Sequence, residues 1–440
     1  MNLSRGSFSN QILLTLGTNV ILAFISLLTG SIVARLLGPV GRGELAAIQT
    51  WGAVIALIAV LGLPDAVVFF SGRFPGKAGA YMSSGIVLCL FSSVPFVLVG
   101  YALIPHVLSA QSQATIHSAR CYLVFFVPLQ ATQGMLLHPL RGRSDILPWN
   151  LLRISFALSW GAALVIAITI GVSDSGQVAA FYLGSLALAS LPALLVVRHR
   201  VRGDYSPRGQ LWGPMLKYGL PLTAAALPQL LNARLDQMLM AAFLPPASLG
   251  CYAVAVAWGS AGSPVFSSVG AIVFPRLAMQ SIGVIQKETL IRSIHLGAML
   301  AVALGLPLLA ITPVAILSIF GGAYFGAIPA ACILVVTGSV LGVNAIIQES
   351  LRGLGFTKAI LLAETAGLAV IASLLWVLLP PLGILGAALS SLAGSLASGV
   401  ALLRQLRRHA DIGPKEALVP HRQDMAILLA KLKSITRRFL

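Results

Sequence analysis

Long apolar stretches separated by short polar ones run the length of the chain. A membrane crossing takes about 20 mostly apolar residues. By that ruler twelve stretches qualify, at residues 11–35, 45–70, 79–103, 118–140, 149–171, 177–198, 215–243, 247–275, 292–319, 325–349, 357–379 and 382–403. The pattern predicts an all-α polytopic membrane protein. The first stretch runs to Leu37, too long for the apolar core of a cleavable signal peptide, and Arg35 stands where small residues would be needed, so it is expected to stay as the first span. Pro64, Pro221, Pro228 and Pro264 fall inside the second, seventh and eighth stretches and predict bent or broken helices there.

Composition agrees. Of 440 residues, 58% are hydrophobic and 9% charged, whereas a soluble domain has roughly a quarter of its residues charged. The net charge of +17 would suit a nucleic-acid partner, but the positions of the charges decide what it means. An even number of spans puts both termini on one side. If that side is the cytoplasm, 24 of the 29 lysines and arginines fall in inner loops and tails, and Arg42 is the one basic residue clearly outside. The charge therefore reads as a topology signal, and nucleic acid is not expected as a partner. At the C-terminal end, QDMAILLAKLKSITRRFL puts Leu428, Leu432, Ile435 and Phe439 on one helical face and Lys431, Lys433, Arg437 and Arg438 elsewhere. That predicts an amphipathic helix on the inner leaflet, held by anionic lipid.

The motifs of several chemistries are missing from the sequence. Cys89, Cys121, Cys251 and Cys332 form no CxxC pair, the histidines show no HExxH, and no GxxxxGK[ST] occurs. No loop pairs a nucleophile with a base, and no outer loop is long enough for a folded catalytic domain. We expect no metal, no cofactor and no enzymatic activity.

The chain repeats itself. LLGPVGRGELAAIQTW at 36–51 lies on FLPPASLGCYAVAVAW at 243–258 with an offset of 207, so that Leu37, Pro39, Gly43, Ala46 and Trp51 meet Leu244, Pro246, Gly250, Ala253 and Trp258. LRG at 140–142 meets LRG at 351–353 with an offset of 211. In order and at nearly equal offsets, these matches predict two six-helix halves, 1–198 and 215–405, joined by a cytoplasmic linker at 199–214 and followed by a basic tail at 406–440. Six is even, so both halves enter the membrane in the same direction, the geometry of parallel lobes around a central cavity that rock in alternating access.

The ARLLGPVGRGELAA run, the N-x-R-x-D, LG-x-Y and FPRLA elements of 232–278 and the LRG loops resemble the polysaccharide transporter family. Its members are lipid-linked oligosaccharide flippases of the multidrug, oligosaccharidyl-lipid and polysaccharide exporter superfamily. The likeness covers residues 8–405 and departs from the family pattern at Arg42 and Glu44. It implies a bacterial inner-membrane protein that moves undecaprenyl-pyrophosphate-linked oligosaccharide to the outer leaflet for surface polysaccharide assembly. Membrane lipid, the lipid-linked anionic substrate and a polysaccharide polymerase or export machinery are the implied partners. The rival readings are a cation-coupled multidrug antiporter of the same fold, a polytopic sugar-transferring enzyme and a membrane scaffold.

Charged residues inside spans mark candidate chemistry. Arg234 and Asp236 lie about 12 to 15 Å inside the outer edge of span seven, where each unpaired charge costs about 2.5 to 3.5 kcal/mol. Two residues apart on a helix, they do not face each other, so at least one needs a water-filled cavity or a partner on another helix. Arg35 and Arg120, near the outer ends of spans one and four, are either cavity cations or snorkelling side chains. Arg234, Arg35 and Arg120 are the candidates for binding a pyrophosphate, whose oxygens a guanidinium fork bonds in pairs. Arg153 in span five and Glu364, 211 residues later in span eleven, suggest an inner gate latch, against local pairing or snorkelling. Asp65 is a candidate proton or cation site, against pairing with Arg73 or Lys77, and Asp236 a candidate for coupling. Glu349 and Arg352 have the spacing of a helix-end pair.

Overall fold

The structure, a computed structural model, describes residues 8–201, 203–279 and 284–418. The expected amphipathic helix near the C-terminus lies outside these residues. The described chain is helical throughout, with no strand among the described residues.

The first helix, α1, runs 52 residues from Phe8 to Ala59. The loop expected between the first two spans is a kink instead: at Gly38 the backbone turns to φ 64° and ψ −178°, a conformation glycine adopts at little cost. Pro39 follows, and a proline drives its predecessor out of the helical region. The second span breaks again at Leu61 and Gly62, both at positive φ. It resumes as α2, Leu63–Arg73, with Pro64 in the first helical turn, where a missing N–H costs nothing. The second half repeats this plan with α7 at Trp212–Phe243, α8 at Pro246–Gly259 and α9 at Ser263–Met279. The α8 and α9 segments are bent by 44°, and Pro264 again stands just past a glycine, Gly262. Pro221 and Pro228, by contrast, sit within unbroken α7.

Between these triplets lie α3, Ala78–Val107, α4, Gln113–Gly142, α5, Ile146–Thr169, and α6, Ser175–Arg200. The second half continues with α10, Val284–Ala315, α11, Ile328–Gly353, α12, Thr357–Leu382, and α13, Ile384–Ala410. A short α14, Pro414–Leu418, closes the described chain. Ser112 and Asp174 cap α4 and α6 by accepting the backbone N–H groups of Thr115 and Gln177 at 3.1 and 2.9 Å. Among the described residues nine helices are long and apolar enough to cross a membrane, ten with the bent α8–α9 pair. Twelve crossings are compatible with this, since α1 is long enough to cross twice about its kink and the more polar α7 adds another.

The two halves meet where α1, past its kink, crosses α8. A Cβ built on Gly43 would stand 1.7 Å from the carbonyl oxygen of Pro246, and one on Gly250 would stand 1.9 Å from that of Pro39. These are the residues that the offset of 207 pairs, so each contact is the mirror of the other. Lipid tails give no hydrophobic drive between helices, and close approach of small residues supplies the packing. Ala34, Ala46, Ala47, Ala255, Ala387 and Ala388 are buried in the same cluster, which draws on both halves.

Candidate functional site

The seventh span carries dense polar chemistry, and Asn232, Arg234 and Asp236 diverge. Asn232 and Asp236, four apart, look into the second half. Asn232 donates through Nδ2 to the Glu364 carboxylate at 2.8 Å and to the Glu364 backbone oxygen at 2.9 Å. Glu364 on α12 is buried and also accepts from Gln348 of α11 at 2.7 Å and from Ser398 of α13 at 2.9 Å. Asp236, buried in turn, accepts from the Tyr252 hydroxyl of α8 at 2.5 Å, from Ser391 of α13 at 3.2 Å and from the Gln237 N–H at 2.7 Å. Each carboxylate thus has three donors and no basic partner in the ion pairs among the described residues. Hydrogen bonds of this kind are what make a buried charge bearable.

Arg234 points the other way. It is exposed and makes no hydrogen bond or ion pair to a described residue. The surface it belongs to is unlike a lipid face. The nearest exposed residues on α7 are Ala233 and Gln229, with Ala226, Ala225 and Ala224 further along, all small or polar, while the bulky exposed chains of this helix, Leu220, Leu222 and Phe243, lie toward its ends. On α6 the exposed residues include Leu188, Leu191, Leu194, Leu195 and Val196, the bulky chains that hydrocarbon contacts at no cost.

The remaining candidates have local partners. Arg35 is exposed and donates to the backbone oxygens of Ile319, at 2.9 Å, and of Ser318. Arg120 donates to the carbonyl of Tyr101 at 3.0 Å and lies over its ring at 4.5 Å. Arg153 donates to Asn19 at 2.9 Å and Asn150 at 3.2 Å, with Trp149 beneath it. Arg153 and Glu364 are therefore each bonded within their own half, and each to an asparagine on the first span of that half, Asn19 and Asn232. In this conformation they form no ion pair with one another. Asp65 is exposed in the first turn of α2, where the helix dipole favours a negative charge, and it is paired with neither Arg73 nor Lys77. Glu349 and Arg352 do pair, at 2.5 Å.

Sequence reading left Gln348, Ser391 and Ser398 unmarked, and it met Tyr252 only as the last residue of the LG-x-Y element, with no role. The seven-residue spacing of the two serines, which puts them two turns apart on one face of α13, was the available signal. Across the seam, Tyr324 donates to the Ala34 carbonyl at 2.9 Å, and Gln111 donates to the carbonyls of Ala241 and Leu244 at 3.0 and 3.3 Å.

This arrangement is that of a polytopic helical membrane protein. The first half opens with a kinked helix and a broken one, the second with α7 and the bent α8–α9 pair, polar side chains are gathered within the spans, and the halves meet across a seam of small residues. Solved structures share the fold. A lipid II flippase MurJ in an inward closed conformation superposes with a TM-score of 0.74 at 13% identity, over 92% of this chain and 88% of that one. A multidrug resistance MATE family transporter of the MOP superfamily, in an inward-facing conformation, gives 0.64 at 17% identity over 93% and 96%. The MATE multidrug transporter DinF-BH, in complex with R6G, gives 0.63 at 13% over 95% and 98%. No curated protein matches the sequence. The chain belongs to the polysaccharide biosynthesis protein family, whose sequence pattern it matches over residues 8–281.

Proposed function

We propose that the protein is a flippase that carries undecaprenyl-pyrophosphate-linked oligosaccharide from the inner to the outer leaflet of a bacterial inner membrane. Both termini lie on the cytoplasmic side, and the product feeds surface polysaccharide assembly. Arg234 carries this reading: a guanidinium well inside a span, on a small and polar face, with no hydrogen-bond or ion-pair partner among the described residues. A pyrophosphate with a sugar attached cannot cross about 30 Å of hydrocarbon unaided. A fixed guanidinium in a water-filled cavity replaces part of its hydration, and two phosphate oxygens fit its fork. The polyprenyl tail stays in the bilayer while residues 1–198 and 215–405 rock as two lobes around the head group.

Arg35 and Arg120 reach the head group by exchanging their present carbonyl partners for phosphate oxygens. Asp236, two residues from Arg234 and held by Tyr252 and Ser391, serves as the coupling group. Protonating it removes a negative charge near Arg234 and so favours anion binding, and by linkage a bound anion favours protonation. Asp236→Asn should therefore leave substrate binding in place and remove the dependence of transport on a proton gradient.

The MATE-like fold supports a second reading, and one observation favours it: Asp236 and Glu364 are buried acids that form no ion pair among the described residues, which suits a cationic drug. Deleting the gene separates the two. The flippase reading expects lipid-linked oligosaccharide to accumulate on the inner leaflet and surface polysaccharide to be lost. A deletion that leaves the polysaccharide intact and raises sensitivity to cationic dyes would show a drug exporter.

A further inference from the structure

Arg35 is engaged in a way its place in the sequence does not foretell. The last turn of the ninth span, Ile316–Phe320, is a π-turn, and Gly321 at φ 110° ends it. The last carbonyls of a helix have no intrahelical donor and carry the negative end of its dipole. Two of them, on Ser318 and Ile319, receive the Arg35 guanidinium from the opposite half of the chain. The neighbouring Tyr324 hydroxyl returns a bond to Ala34 at 2.9 Å.

We propose that Arg35 is a latch that holds the two halves together at the kink end of α1, and that a phosphate-class anion opens it by competing for the guanidinium. Three observations carry this. The guanidinium has five N–H donors, and only Nε and Nη2 bond to described residues, so an incoming anion gains contacts before the carbonyls are released. A cavity of about 390 Å³ adjoins it, lined by Arg35, Gly38, Gly321, Gly322 and Tyr324 among others. Arg42 stands within electrostatic reach of Tyr324, and its Nε is buried with no partner. A second cation near Tyr324 thus adds to the positive field that draws an anion to this cavity.

The latch rests on the reading of the protein as a two-lobed transporter and not on which solute it carries. Its test needs no lipid-linked sugar, so failure of the latch and failure of the flippase assignment are separate results. Spin labels at Val40 and Phe325, both well exposed and one on each half, report the kink-end distance in the purified full chain with the four cysteines replaced. The wild type should show mainly the short distance. Arg35→Gln should raise the open fraction about tenfold, the worth of a charge-assisted bond, and Arg35→Lys by less. Inorganic pyrophosphate should open the wild type and leave Arg35→Gln unchanged. Tyr324→Phe, which keeps the charge, should open slightly and still respond to pyrophosphate. The same distance distribution in Arg35→Gln and wild type overturns the latch. Equal opening of both by pyrophosphate, or no opening of the wild type, overturns its release by anions.

Discussion

Ala34 in the first span and Ala241 in the seventh stand 207 residues apart, and each gives its carbonyl to a side chain of the opposite half, Tyr324 at 2.9 Å and Gln111 at 3.0 Å. The next position breaks the likeness. The first span has Arg35, which reaches across to the end of the ninth span. The seventh span has Ala242, and its arginine lies two turns deeper, at Arg234, bonded to no described residue. The same backbone plan thus supports two uses of one residue type: a cation satisfied by carbonyls at the rim and a cation left open within the span. A repeat fixes where a helix starts, kinks and crosses its twin. The chemistry comes from the positions at which the repeat fails.

Several substitutions can break or sharpen that comparison. The largest effect is expected at the shared part. A methyl on Gly43 or on Gly250 would fall within 2 Å of a carbonyl oxygen, a clash that rotamer changes cannot relieve. Gly43→Ala and Gly250→Ala should each cost about 3 kcal/mol, the upper range for overpacking, and lower the thermal unfolding midpoint in detergent by similar amounts. Tolerance of one but not the other would show that the seam is not a symmetric crossing.

A smaller effect separates the two asparagine contacts. Glu364→Gln turns an acceptor of three hydrogen bonds into a group that sets donor against donor, and should cost about 2 kcal/mol. Arg153→Gln keeps a donor for Asn19 and should cost about 1 kcal/mol or less. Chemical denaturation in mixed micelles reads both, and the reverse order would contradict the assignment of Glu364 as the hub of its network. The smallest effects should be those of Tyr324→Phe and Gln111→Ala, about 1 kcal/mol each. These two are expected to be close, because each removes the bond to one of the equivalent carbonyls of Ala34 and Ala241, Gln111 losing a second, longer bond to Leu244 as well.

Much of this was legible in the sequence. Apolar length marked the spans, and the Leu37–Trp51 and Leu244–Trp258 match marked the twin crossing, because the backbone contact of Gly43 with Pro246 requires those residues on both sides. The kink at Gly38 was read as a loop, since a short polar interruption looks the same whether the chain leaves the helix or only bends. The break before Pro64 and Pro264 was foreseen, whereas Pro221 and Pro228 left α7 unbroken. Side-chain partners were the least legible. Whether Asp236 meets Arg234 or Tyr252 depends on the rotation of α7 against α8 and α13, which no local spacing encodes. The two ARL runs, 34–36 and 233–235, invite an alignment in which Arg35 and Arg234 are equivalent. The seam contacts pair Ala34 with Ala241 instead, and the two arginines fall at different depths.

The most direct test of the account is transport by purified protein in proteoliposomes that carry an undecaprenyl-pyrophosphate-linked oligosaccharide, with outward exposure of the sugar followed over time. The account predicts movement by the wild type, a rate about thirtyfold lower for Arg234→Ala, as expected for loss of a charge-assisted contact in the translocating state, and a partial rate for Arg234→Lys. Equal rates for Arg234→Ala and wild type, or a wild type that moves a cationic dye and not the lipid-linked sugar, would contradict it.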